Sequence, residues 1–371
     1  MNLLFLDSID RATFGGYENW ILLVAEYFAA RNHGVTLAGR PDSEYLRRGR
    51  NLPGSIDLLE LDISGDFNPA TISRIRRELS ERRIDIMTVN FNKDVRLGGL
   101  AARWQGDTRV VWRVGLDITS AGWAHRVLTP KLVDGVVVPS ESLKRQVMRH
   151  GYLSDDMVTV IYNGTADKTF VRPNPEAARE LRHKYHLAAD SVVAVSVGRF
   201  VDQKGHVYLV EAAPEIVRSH PEIRFLWLGD GPHETMLRER IAELGLGDYF
   251  VFAGMLDTID LELAGADLMI HPAVEEPFSH AILECMRAGL PIAASRVGGI
   301  PEAVVDNESA LLVPAKQPRA LALAVVSLLD RPNVMASFGE ANQKRWYQHF
   351  RLDTMMTRFE DYFTAMLARA H

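Results

Sequence analysis

Short apolar runs of strand length alternate along the chain with polar stretches and helical stripes. The first run, residues 2–6, leads through a glycine pair into Tyr17, Trp20, Ile21, Val24 and Phe28, which recur at i, i+3, i+4, i+7 and i+11. That order is strand, glycine turn, amphipathic helix. Apolar runs return at 35–38, 84–89, 110–114, 136–138 and 158–161. Helical or polar stretches separate most of them, and that alternation predicts a parallel sheet flanked by helices. Beyond the polar, Pro-containing stretch 172–190 a second series begins, with runs at 192–197, 224–228, 249–252, 268–270 and 291–294. The segment 341–367 has no strand signal, and its Trp346, Phe350, Met355, Phe359, Tyr362, Phe363 and Met366 fit one or two closing helices.

At 371 residues the chain exceeds what one hydrophobic core usually serves. The pattern predicts two doubly wound α/β domains facing each other across a cleft, at 1–170 and 171–345, with a terminal helix at about 346–371 packing back onto the first. In such open sheets ligands bind beyond the carboxyl ends of the strands. The strand-to-helix loops are therefore where chemistry is expected.

The 47% hydrophobic content fills two cores, and a net charge of −6 leaves no electrostatic footprint for nucleic acid. Arg47, Arg48, Arg50, Arg74, Arg76, Arg77, Arg82 and Arg83 cluster in the first half. They read either as solvated helix and loop faces or as a weak patch for an anionic membrane or a phosphorylated acceptor. Cys285 alone forms no internal disulfide, Met1 leads into an apolar strand without a charged leader, and no run approaches the roughly 20 apolar residues of a membrane span. A cytoplasmic protein is expected, at most peripheral at the inner face of the membrane.

Candidate chemistry concentrates in the second half. Glu276 and Glu284 lie eight residues apart around Pro277, Phe278, Ser279 and His280. Pro277 suits a first helical position, which puts Glu276 at the cap and Glu284 about two turns on, roughly 12 Å away. A helix amino end favours a diphosphate, and carboxylates favour sugar hydroxyls. Gly298 and Gly299, in Gly-Gly-Ile-Pro-Glu, allow backbone to approach a ligand. After the run 192–197, the loop Gly198 to Gly205 carries Arg199 and Lys204, a rigid fork and a mobile point charge suited to a leaving group that gains negative charge. Each motif alone reads equally as a cap, a turn or two solvated cations. Gly229-Asp230-Gly231 approaches a dinucleotide fingerprint, but Glu234 occupies the third glycine position. No His-Glu-x-x-His, Cys pair or Asp-x-Asp occurs, so neither a metal nor another cofactor is expected.

Together these segments resemble glycosyltransferase family 4, the retaining enzymes of GT-B fold with two Rossmann-like domains, over nearly the whole chain. Glu276 to Glu284 is similar to the family's Glu-x7-Glu motif, Gly198 to Gly205 to its Gly-Arg-x(n)-Lys-Gly loop, Gly298 to Glu302 to its Gly-Gly-x-Pro-Glu turn, and Gly15-Gly16-Tyr17-Glu18 to its first glycine loop. Asn163-Gly164 with Asp167 and Phe170 resembles its interdomain segment. The resemblance implies a nucleotide-sugar donor and a glycan, lipid-linked or small-molecule acceptor. It implies that Arg199 and Lys204 bind the diphosphate, Glu284 the ribose, and Glu276 and His280 lie near the transferred sugar. Gly15, Gly16, Gly198, Gly229, Phe278, Ser279, Gly298 and Gly299 complete the expected donor site. Where many members carry a histidine after the strand at 110–114, this chain reads Trp112-Arg113-Val114-Gly115-Leu116-Asp117, leaving Arg113 and Asp117 as candidates, Asp117 as an orienter of the acceptor hydroxyl. The alternatives are a catalytically silent sugar-nucleotide-binding protein and a glycosyl phosphorylase of the same fold.

Overall fold

The computed structural model describes residues 1–9, 16–115, 122–167 and 174–369. It divides into two compact units, Met1–Tyr162 with Met355–His371, and Asn163–Thr354. Gly15, Asp117 and Phe170 lie outside the described residues, and Gly16 is described only as the start of the helix Gly16–Ala29.

The first unit holds β1 (Asn2–Asp7), β2 (Gly34–Gly39), β3 (Ile56–Glu60), β4 (Ile86–Val89), β5 (Arg109–Arg113), β6 (Gly135–Val138) and β7 (Val158–Val160). Their order is β3-β2-β1-β4-β5-β6-β7, with every pairing parallel. Helices on both faces bury the central strands, which is why β6 and residues 3–6 of β1 read as unbroken apolar runs. The helix Leu352–Ala368 belongs to this core: Phe359 packs 5.2 Å from Trp20 and Phe363 5.7 Å from Phe28, centroid to centroid. Most of the clustered arginines on this unit are ion-paired, Arg47 and Arg48 with Glu44, Arg50 with Glu60, Arg74 and Arg82 with Glu78.

The order reverses between β1 and β4, and three carboxylates, Asp7, Glu18 and Asp94, are buried near this point. Burial first, and then the neighbouring charge of Asp94, pushes the Asp7 carboxyl up from 3.8 to about 8. Asp94 is raised to about 6 by burial, although it accepts the Phe91 N–H at 2.9 Å. A folded state that holds a proton more tightly than the unfolded chain loses stability as pH rises between the two pKa values. Asp7→Asn is therefore expected to melt higher than the parent at about pH 9 and to converge with it below about pH 4. Parallel melting curves across that range, read by circular dichroism, would show that Asp7 ionises freely in the fold.

The second unit holds β8 (Val192–Val197), β9 (Ile223–Leu228), β10 (Phe250–Gly254), β11 (Leu268–His271), β12 (Ile292–Ser295) and β13 (Ala310–Val313). They form a six-stranded parallel sheet in the order β10-β9-β8-β11-β12-β13. The polar stretch before β8 contains a further helix, Pro175–Lys184, capped by Asn174. The units part at 162/163 and 354/355, whereas the sequence pattern put the breaks at 170 and 345. The helix Pro332–His349 stays with the second unit because buried Asn342 donates to the Leu290 and Ser309 carbonyls, both at 2.8 Å. Residues 163–167 stay there too: the Thr165 N–H donates to the Phe350 carbonyl at 3.0 Å, the Leu352 N–H returns to the Thr165 carbonyl at 2.8 Å, and the Trp346 indole donates to Thr165 Oγ1 at 2.8 Å.

Candidate active site

The strand order of the second unit reverses between β8 and β11, and the loops that leave these two strands are sewn together. Within the sheet Ser196 Oγ donates to the Ile270 carbonyl at 2.7 Å. Beyond it the Gln203 carbonyl accepts the Val274 N–H at 2.8 Å and the Glu275 N–H at 3.2 Å. Gly205 adopts φ +64, and a Cβ there would sit 2.2 Å from the Pro272 carbonyl oxygen. Any side chain at 205 would push the loops apart. Gly229 at φ +144 is pressed in the same way against Gly198, with its Cβ position 2.2 Å from the Gly198 oxygen.

This apposition brings Lys204 to Glu276, 72 residues away, with Nζ 2.5 Å from Oε2. The same oxygen accepts a hydrogen bond from His271 Nε2 at 3.1 Å. The Glu276 backbone is fixed as well, since its carbonyl accepts the Gly299 N–H at 3.0 Å. Burial pushes the Glu276 carboxyl up, but the Lys204 ammonium and the His271 hydrogen bond outweigh it and bring the group to about 2. Burial holds His271 below the usual histidine range, so a neutral imidazole donates its Nε2–H to an ionised carboxylate.

Glu276 is not a helix cap. The helix is His280–Arg287, its cap is Ser279, whose hydroxyl accepts the Ile282 N–H at 3.3 Å, and Pro277 and Phe278 precede it in the loop. A short hydroxyl reaches the second or third free amide of a first turn, while the Glu276 carboxylate is already committed to Lys204 and His271. Phe278 is buried beside Phe350, centroids 5.7 Å apart, and acts in packing. His280 and Glu284, both half-buried, share one face of the helix at i, i+4. At its far end buried Arg287 donates to the Ala166 carbonyl at 2.9 Å and to Asp260 at 3.2 Å.

Arg199 is exposed and has no ion-pair partner among the described residues, so it does not share the compensation Lys204 enjoys. Gly298 and Gly299 lie against Glu276 itself, and a Cβ on Gly298 would meet the Glu276 oxygen at 1.9 Å. In the first unit Arg113 is buried, with its guanidinium 4.2 Å over the Trp20 ring. Sequence reasoning missed His271; the available signal was a polar residue closing the apolar run 268–270 five positions before Glu276. Among the described residues no group of three or more His, Cys, Asp or Glu side chains is arranged to hold a metal ion, and no single helix is long and apolar enough to cross a membrane.

Two doubly wound parallel sheets, the second with a lysine and a glutamate on its reversal-point loops and paired glycines on the loop after β12, define a glycosyltransferase of GT-B fold. Anabaena HepE, solved in complex with UDP, has the same fold, with a TM-score of 0.84 and 20% identity over 98% of this chain and all of that one. The model described as Glycosyltransferase Family 4 matches residues 14–169, and that described as Glycosyl transferases group 1 matches residues 178–345. The GDP-mannose-dependent alpha-(1-6)-phosphatidylinositol monomannoside mannosyltransferase of Mycobacterium tuberculosis is 30% identical over 312 residues, 79% of either chain. An uncharacterized glycosyltransferase of Methanocaldococcus jannaschii is 32% identical over 198 residues, and the match spans half of that protein. The chain belongs to glycosyltransferase family 4.

Proposed function

We propose that the protein transfers a sugar from a nucleotide-diphosphate sugar, with retention of anomeric configuration and without a metal, to a hydroxyl of a glycan, lipid-linked or small-molecule acceptor. The observation that carries this reading is the convergence of Lys204 and His271 on ionised Glu276 at the reversal point of the second sheet, walled by Gly298 and Gly299. A nucleotide-sugar donor is supported by the UDP bound to HepE and by the GDP-mannose dependence of the mycobacterial relative. The bond from the anomeric carbon to the departing phosphate breaks and the bond to the acceptor oxygen forms on the same face. The acceptor proton passes to the departing phosphate oxygen. Lys204 and Arg199 stabilise the charge that grows on the diphosphate, Glu276 and His280 hold the reacting sugar, Glu284 holds the ribose, and the glycines admit the donor to the backbone. The protein works in the cytoplasm or at the inner membrane face, where the arginine-rich helix Pro69–Glu81, with Arg76 4.4 Å over the exposed Trp104 ring, supplies a weak anionic-surface contact.

Transfer is expected to persist in excess EDTA, and proton NMR of the product formed there is expected to show the anomeric configuration of the donor. An inverted product, or activity lost in EDTA and restored by magnesium or manganese, would overturn this chemistry.

A further inference from the structure

We infer that His271 is the positioning residue for Glu276, holding one carboxylate oxygen so that the other is presented to the sugar. This rests on the reading that Glu276 acts on the transferred sugar. Both protein donors, Lys204 Nζ and His271 Nε2, converge on Oε2, so Oε1 is the oxygen that no described side chain occupies. The two donors differ in how firmly they are held. Lys204 ends the short 3-10 turn Asp202–Lys204 in the loop after β8, with its side chain 25% exposed, and its ammonium is also the cation offered to the diphosphate. His271 is the last residue of β11, paired in register with Ala294 of β12, and its side chain is 3% exposed. A rigid neutral donor on a central strand keeps the carboxylate oriented while the lysine turns toward a growing negative charge. A mobile cation alone would let the carboxylate follow it.

The surroundings keep His271 in that role. The charged and titratable groups facing the pair are Lys204, from the loop after β8, and His206, the first residue of the helix His206–Ser219. His206 is buried against Phe200 and Trp227, ring centroids 4.9 and 5.0 Å away, and burial lowers it to about 3, so it brings no competing charge. In a neutral imidazole the Nε2–H that faces Glu276 is a donor, so that nitrogen serves to hold the carboxylate.

The test uses the full chain. Glu276 is followed by 13C NMR of glutamate-labelled protein, its resonance assigned by its loss in Glu276→Gln. In His271→Ala the Glu276 titration is expected to move up by about one to two pH units, the size of a hydrogen bond to a charged group. His271→Gln, whose amide N–H reaches a similar position, is expected to restore most of the shift and serves if the alanine variant folds poorly. Release of UDP from UDP-glucose and of GDP from GDP-mannose gives the second reading. Whichever donor is turned over, kcat is expected to fall about 10- to 100-fold in His271→Ala with little change in KM, and no further in a Glu276→Gln background. An unmoved Glu276 titration in both His271 variants would overturn the inference. Parental turnover by Glu276→Gln would instead remove the role given to Glu276 on the sugar, and leave the NMR result on His271 standing.

Discussion

Lys204→Ala is expected to slow turnover by about a hundred- to a thousandfold and to lower the melting temperature, whereas Arg199→Ala is expected to slow turnover alone. In the proposed mechanism both side chains face charge that grows on the leaving diphosphate, and removing one preorganised donor from such a site costs about 2.7–4 kcal/mol of barrier. Their ground-state duties differ. Lys204 neutralises a glutamate whose side chain is 7% exposed, while Arg199 is exposed and unpaired among the described residues. Breaking a buried pair by removing one partner costs about 3–5 kcal/mol, and partial exposure of Lys204 places its loss toward the lower figure. A solvated cation stays within about 0.5 kcal/mol of neutral. The double variant Lys204→Ala/Glu276→Gln is expected to recover melting temperature and none of the rate, because the buried charge is gone and the cation proposed to face the diphosphate is not replaced. Parental turnover in both single variants would mean that the diphosphate is not held here.

Gly298→Ala is expected to be the most damaging addition of a single methyl group. The residue sits at φ +53, and the new Cβ would lie 1.9 Å from the Glu276 carbonyl oxygen and 2.7 Å from its carbonyl carbon, backbone atoms that cannot swing aside. Relief requires moving residue 276 or giving up the Gly299 hydrogen bond that fixes it. A misplacement of about 1 Å at a reacting group costs roughly a hundredfold in rate. Gly245→Ala is the control: its φ is +69 and nothing lies within 4 Å of the added carbon, so it carries the left-handed backbone cost of roughly 1–2 kcal/mol without the collision. Comparable kcat in the two variants would show that Gly298 serves the turn and not the carboxylate.

Strands buried on both faces were legible where nothing polar interrupts them, as in β6 and residues 3–6 of β1. The edge strands β3 and β13 were not. Ile56–Glu60 mixes Asp57 and Glu60 with apolar residues and leaves no continuous run, whereas Ala310–Val313 is an apolar run of four residues, which pattern alone does not distinguish from a buried helix segment. Pro277 misled the helix start by three residues, since proline suits both a first turn and the loop before it, and Ser279 took the cap. The residue types of the site could be read as motifs, but their partnership could not. Lys204 meets Glu276 only because β8 and β11 are neighbours in the sheet, a fact of topology that spacing along the chain does not encode. The same holds for Asp7, the last residue of β1, and Asp94, in the first turn of the helix Asn92–Gln105 that follows β4.

The discontinuity of the first unit has a consequence for synthesis. A ribosome delivers Trp20 and Phe28 early, yet the rings that cover them, Phe359 and Phe363, follow only after the whole of Asn163–Thr354 has emerged. The second unit, contiguous in sequence, can close its core while the first still shows an open apolar groove to chaperones and to other nascent chains. Expression of residues 1–162 alone would leave that groove permanently uncovered, so the halves of this enzyme are separable only if the closing helix is grafted back onto the first.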